Sequence, residues 1–225
     1  ALIISIMTSF MQNYESKTSL RKDLFFKFIL YGLRRYPSSL IPLFLTQLPN
    51  LFIGSFLGYK SLGFYSVAQT AFNGLNSIPR AVTVLLFGSV SSMSKSEAIK
   101  TTTLASKWQV NIILILWLLL SLLCILFIPI IFGEEFSRSI VPSIILTSSV
   151  MFVAANVSLE SFFLSQNRPG FTSIVNFFTA GLVCLISPIL VYLFEIEGMA
   201  ISLLLARLFS LIIFIKNFSG LSAPS

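Results

Sequence analysis

The sequence predicts an all-α fold: a polytopic membrane helix bundle of six transmembrane helices plus the tail of a preceding one. Three observations carry that reading. Hydrophobic residues make up 56% of the chain and charged residues 10%, against about 25% charged in a soluble domain; mean hydropathy is +0.92. The apolar residues gather into runs near the roughly 20 residues a helix needs to cross a bilayer. Lysine and arginine concentrate in alternate connections, the pattern left by retention of basic loops in the cytoplasm.

The opening run, ALIISIMTSFM, is too short to span and lacks the basic start and small-residue cleavage site of a signal peptide. Residues 1–12 are therefore expected to be the end of a preceding transmembrane helix, and the chain a piece of a larger protein. Residues 13–36 hold Lys17, Arg21, Lys22, Lys27, Arg34 and Arg35 against Glu15 and Asp23. Leu24, Phe25, Phe28 and Ile29 lie at helical spacing opposite those charges. That is the pattern of an amphipathic helix at a cytoplasmic headgroup surface, here a linker.

A six-helix lobe is expected over residues 37–217, with a cytoplasmic tail at 218–225. Its spans are Ser38–Leu57, interrupted by Pro42 and Pro49; Leu62–Val90; Trp108–Phe132; Ile140–Leu164; Phe171–Phe194; and Gly198–Ile215. The loop SSMSKSEAIKTTTLASK carries Lys95, Lys100 and Lys107, the turn SQNRPG carries Arg168, and Lys216 ends the last span. The alternate connections GYKS, FGEEFSRS and FEIEG are short and hold Glu134, Glu135, Glu195 and Glu197 against Lys60 and Arg138. The basic connections and the C-terminus are expected on the cytoplasmic side of a cytoplasmic (inner) membrane. Short connections make consecutive helices antiparallel neighbours.

The second span is unusual. Ser66, Gln69, Asn73, Asn76, Arg80 and Thr83 are spaced by three or four residues and share one helical face, opposite Val67, Ala71, Phe72, Leu75, Ile78 and Val82. Unpaired polar groups are costly among acyl chains, so this face must meet other helices or a wet cavity. An arginine at mid-bilayer costs about 2.5–3.5 kcal/mol on insertion scales. Arg80 either snorkels to the headgroups or lines a cavity and meets an anion. Pro79 should loosen the helix beside it.

Weaker polar faces recur elsewhere. The first span has Ser39, Thr46, Gln47, Asn50 and Gly54; the fourth Ser149, Asn156 and Glu160; the fifth Thr172, Asn176 and Thr179; the last Arg207 and Ser210. Such residues often join helices. Intramembrane charges turn inward, so Glu160 and Arg207 are either a structural pair or functional groups: Glu160 for ion coupling, Arg207 for a second anion contact. The third span has little beyond Asn111 and Ser121 and is expected to face lipid. Histidine is absent, and Cys124 and Cys184 fall inside apolar runs. No zinc or haem spacing results, and no metal or cofactor is expected.

The stretch LGFYSVAQTAFNGLNSIPRAVTVLLFGSVSSM resembles the eighth helix of bacterial polysaccharide flippases of the Wzx type, with their G-x-Y-S-x-A start and I-P-x-A turn. IFGEEFSRSIVPSIIL is similar to that family's L-F-G-x-x-F outer loop, SQNRPG to its short inner turn, and EGMAISLLLA to the start of its last helix. Gly88 departs from the pattern, standing where relatives often have proline. The resemblance covers nearly the whole chain, as the end of helix six through helix twelve.

It implies the C-terminal lobe of a two-lobed transporter of the multidrug and polysaccharide exporter superfamily, a MATE-like fold. Such proteins move lipid-linked oligosaccharide, the polyprenyl-diphosphate-linked repeat unit of surface polysaccharide such as O-antigen, by alternating access. The implied partners are that substrate, membrane lipids, the N-terminal lobe and a polysaccharide polymerase. Guanidinium binds phosphate bidentately, so Arg80 and Arg207 are the implied diphosphate or acidic-sugar contacts. Gln69, Asn73, Asn76, Gln47 and Asn50 are the implied sugar contacts.

A MATE-like drug or cation antiporter would want inward carboxylates; only Glu160 answers, against two arginines. A membrane-embedded polysaccharide polymerase or ligase would be an enzyme, but no nucleophile–base pair or carboxylate cluster appears, and the outer loops are tiny. The basic loops follow from topology and do not call for nucleic acid.

Overall fold

The computed structural model describes residues 45–222, together with Ile29. The opening run, most of the basic segment, and the start of the first span with Ser39 and Pro42 lie outside the described residues. Within them every regular element is helical. The order is α1 (45–56), α2 (Gly58–Val90), α3 (Lys95–Phe132), a 3-10 turn (Glu134–Ser139), α4 (Ile140–Ser148), α5 (Val150–Ser165) and α6 (Pro169–Ser222). The polytopic helical bundle expected from composition is the observed architecture. Among the described residues, three stretches are long and apolar enough to cross a membrane: Lys95–Phe132, Glu134–Ser165 and Pro169–Gly220. Helix α2 has the length, but its amide row dilutes its hydropathy.

Several connections are tighter than expected. GYKS is the first turn of α2, not a loop: the chain reverses at Leu57 and Gly58, whose φ of +80° favours glycine. The reversal makes α1 and α2 an antiparallel hairpin, closed by Gln69 Nε2 donating to the Thr46 carbonyl at 3.1 Å. Pro49 is buried inside continuous helix, so the described part of the first span is not broken there.

FEIEG is likewise no loop. Helix α6 folds back at Phe194 and Glu195, which leave helical geometry (Glu195 φ 50°, ψ −124°). Ser187 and Ser202, one on each arm, share a hydrogen bond at 2.9 Å. Gly198 packs so close to the backbone of Leu190 and Val191 that a Cβ there would overlap it. The second arm continues to Ser222, past the expected end at Ile215.

On the basic side, the expected 17-residue loop shrinks to a few residues. Helix α3 starts at Lys95 under a capping box, Ser94 Oγ accepting from Glu97 N while Glu97 Oε2 accepts from Ser94 N. Its 38 residues span about 57 Å. That exceeds the roughly 30 Å hydrocarbon thickness, so its lysine-bearing first turns project on the basic side. Only 17% of its most apolar window is buried, against 44% in the other two spanning stretches. Its apolar surface is thus the most exposed of the three.

The fourth span is two helices rather than one, parted at Ser149. Its hydroxyls bond back into their own helix: Ser143 to the Ser139 carbonyl, Thr147 to Ser143, Ser148 to Ile145 and Ser149 to Leu146. Such back-bonding competes with the helical ladder and bends it. Two apolar clusters hold the bundle. The larger joins Tyr65, Phe72, Ile113, Val150 and Met199. The other, at the basic end, stacks Phe162, Phe163, Phe171, Phe214 and Phe218.

Candidate functional site

The amide row of α2 is built as a helix face, and packing then splits it. Ser66, Asn73 and Arg80 are exposed, Gln69 and Thr83 half-buried, and Asn76 is only 3% exposed. Asn76 turns inward with Phe72 and Leu75, which line the packed face as expected; Ile78 is exposed instead. Helix α2 runs unbroken through Pro79, and the Pro79 carbonyl accepts from Thr83 Oγ1 at 2.7 Å.

Asn76 and Arg80 are one turn apart. With the Asn76 amide oriented so that its oxygen meets the guanidinium, Oδ1 accepts from Arg80 Nε and Nη2, both at 3.2 Å. One edge of the Arg80 fork is thus fixed by a buried amide. A guanidinium has five N–H donors, so the other edge remains for a ligand.

Arg207 comes to the same place from the second arm of α6. Its Nη1 donates to Ser149 Oγ at the break between α4 and α5. Its guanidinium carbon stacks 4.3 Å from the centroid of Phe72, well inside the roughly 6 Å reach of a cation–π contact. Its carbonyl accepts from Asn156 Nδ2 at 3.1 Å. Of the titratable side chains, Tyr65, a neutral phenol, and Arg80 are near enough to Arg207 to interact with it electrostatically. Tyr65 is fully buried, and neither its hydroxyl nor Asn156 Oδ1 has a hydrogen-bond partner among the described residues.

Arg207 is thus seated on Phe72, against Ser149 and Asn156, with Arg80 of α2 within electrostatic reach of it. Among the described residues neither arginine has a carboxylate partner. Like charges repel, and an anion between them would relieve the repulsion and take two-pronged hydrogen bonds.

The other candidates lie further off. Gln47 and Asn50 bond one another at 3.2 Å on α1, and Gln69 is tied to the Thr46 carbonyl. Half-buried Glu160 sits one turn beyond Asn156, outside the group acting on Arg207. Asn111 is exposed on α3.

Three residues escaped sequence reading. It places Phe72 only on the apolar face and assigns Tyr65 no role of its own, because an aromatic's role beneath a cation is set by what lands on it. Gln109 was passed over inside the apolar third span. It is buried against α5, its Nε2 donating to Ser158 Oγ at 2.9 Å, with Oε1 unpartnered among the described residues. A glutamine in a span is itself the signal, since its amide must find a partner.

A family model described as polysaccharide biosynthesis protein matches residues 1–141. That segment contains α1, α2 and α3, with Tyr65, Phe72, Asn76 and Arg80, while Ser149, Asn156 and Arg207 lie beyond it. No curated protein and no solved structure matches the chain. The match extends over more than half of a chain whose helices are those of a membrane bundle, and the chain belongs to the polysaccharide biosynthesis protein family.

Proposed function

We propose that this chain is one lobe of a flippase that carries lipid-linked oligosaccharide across the cytoplasmic membrane for surface polysaccharide synthesis. The observation that carries the reading is a pair of arginines, Arg207 seated on Phe72 and Ser149 and Arg80 held by Asn76, neither with a carboxylate partner among the described residues, inside a membrane bundle of the polysaccharide biosynthesis family. A polyprenyl diphosphate is the anion that suits such a pair. Charge-assisted hydrogen bonds to phosphate are strong and geometrically selective. The exposed Ser66 and Asn73 continue the same helix face and suit sugar hydroxyls; Gln69, Gln47 and Asn50, further off, are the remaining candidate sugar contacts.

In this reading the exposed polar face of α2 meets a companion lobe, and the cavity lies between the two. Alternating access requires the lobes to rock against each other around the bound cargo. Glu160 is the proposed ion-coupling group. The work is transport and needs no catalytic residue, so a polymerase acts as a partner downstream. The guanidinium pair disfavours a cationic cargo by direct repulsion.

The test uses the full-length parent protein. Its gene is deleted and complemented at matched expression with Arg80→Lys, Arg80→Gln and Arg80→Ala, reading surface glycan and the leaflet in which lipid-linked oligosaccharide accumulates. The expected result is loss of glycan with cytoplasmic-leaflet accumulation in the neutral variants, and partial rescue by lysine. Full export by Arg80→Ala and Arg80→Gln would make Arg80 a headgroup anchor and end the anion-site reading.

A further inference from the structure

A second polar site lies at the basic end of the bundle, away from the arginine pair. It is a cleft of about 760 Å³ between the start of α6 and its last turns, lined by Phe163, Arg168, Phe171, Ile212, Lys216 and Asn217 among others. That volume falls within the roughly 300–1,000 Å³ of small-molecule sites.

Its chemistry is two-sided. The floor is the phenylalanine cluster: Phe163 is buried, and Phe171 stacks 4.6 Å from it. Ile212, 56% exposed, extends the apolar wall outward. The rim carries Arg168 and Lys216, both exposed and without a carboxylate partner among the described residues.

The helix ends add little. The N-terminus of α6 at Pro169 has no acidic residue in its first turn and brings about half a positive charge, while its C-terminus brings about half a negative one. These nearly cancel, so the two side-chain charges decide the sign. The local backbone holds Arg168 at the rim: Asn167 takes a positive φ of 57°, and Arg168 N donates to the Phe163 carbonyl at 2.9 Å.

We infer that this cleft is a binding site for an anionic phospholipid of the cytoplasmic leaflet, its phosphate held by Arg168 and Lys216 and an acyl chain lying along Ile212 and Phe171. A cationic rim above an aromatic and aliphatic wall fits that one molecule at both ends. A free phosphate would use only the rim, and a neutral lipid only the wall. Arg168 belongs to the turn between α5 and α6, and Lys216 to the last turns of the arm that carries Arg207. A bound lipid therefore staples the elements that set the Arg207 seat. The inference rests on membrane placement with the basic end on the cytoplasmic side, and holds whatever the cargo.

The test is competitive lipid retention by the full-length protein, read by native mass spectrometry after exchange into equimolar phosphatidylglycerol and phosphatidylcholine. Wild type is expected to keep phosphatidylglycerol preferentially. Arg168→Gln with Lys216→Gln is expected to lower that retention about thirty-fold, the equivalent of about 2 kcal/mol for two basic residues at a lipid surface. Ile212→Trp, which fills the cleft without changing charge, should lower it too. Lys100→Gln with Lys107→Gln removes two exposed charges from another helix and should leave it unchanged. Equal retention of the two lipids by wild type overturns the inference, as does retention that survives both cleft variants. An equal loss in the α3 control would reduce the effect to net charge and overturn it as well. Displacement of the lipid by millimolar inorganic phosphate would assign the site to a free anion instead.

Discussion

The seat of Arg207 on Phe72 makes a quantitative test of the site's construction. The guanidinium lies 4.3 Å from the ring centroid and is half-buried. Cation–π contacts run from about 0.5–1 kcal/mol when exposed to about 2 when desolvated, so the pair should be worth about 1 kcal/mol. Phe72→Leu keeps an apolar side chain but removes the π face; Arg207→Gln keeps a hydrogen-bonding head but removes the charge. Each single change also has unrelated costs, a small cavity for the first and a lost contact to Ser149 for the second. The double-mutant cycle cancels those and isolates the pair. Reversible unfolding of the parent protein in mixed micelles would supply the four stabilities. A coupling of about 1 kcal/mol is expected. A value within about 0.5 kcal/mol of zero is what independent sites show and would refute the cation–π seat. Ser149→Ala should weaken the same seat by about 1.5–3 kcal/mol, the range for hydrogen bonds to charged groups.

Two further outcomes follow from the backbone. Gly198→Ala places a Cβ against the Leu190 and Val191 backbone, which cannot rotate aside, and should destabilise the α6 hairpin by about 1–3 kcal/mol or more. Gly181→Ala, with nothing within 4 Å of its Cβ, should be neutral or stabilising by about 0.4–1 kcal/mol; similar unfolding midpoints for the two would count against the tight hairpin. At the start of α3, hydrogen bonds from Ser94 hold the Glu97 carboxyl below its ordinary range. A depressed folded pKa gives stability that is present above the unfolded value, near about 4.3, and is lost as pH falls through the folded one. Helical carbon shifts at residues 95–98 should therefore fray on acidification below that value in wild type, and Glu97→Gln should flatten the response. An unchanged acid response in the variant would remove the carboxylate from the cap.

Much of the architecture is written locally. Long aliphatic runs such as NIILILWLLLSLLCILFIPIIF have one stable home, because only a helix satisfies its backbone in lipid. The capping box at Ser94 and Glu97 and the αL turn at Asn167 are local chemistry too, readable from a few residues. Arg80, Arg207 and the amide row are conspicuous because a charge in an apolar run is expensive wherever the run is buried. Tertiary packing decided the rest. Whether Asn76 faces in or out turns on which neighbour crowds α2. The reversals at Gly58 and Glu195 are single backbone angles that no hydropathy pattern encodes. The break at Ser149 matters because Arg207 lands there. The sequence alone determined which groups could not be left among acyl chains; only the folded bundle decided which of them meet, since partners so far apart along the chain are joined by helix packing and not by any local propensity.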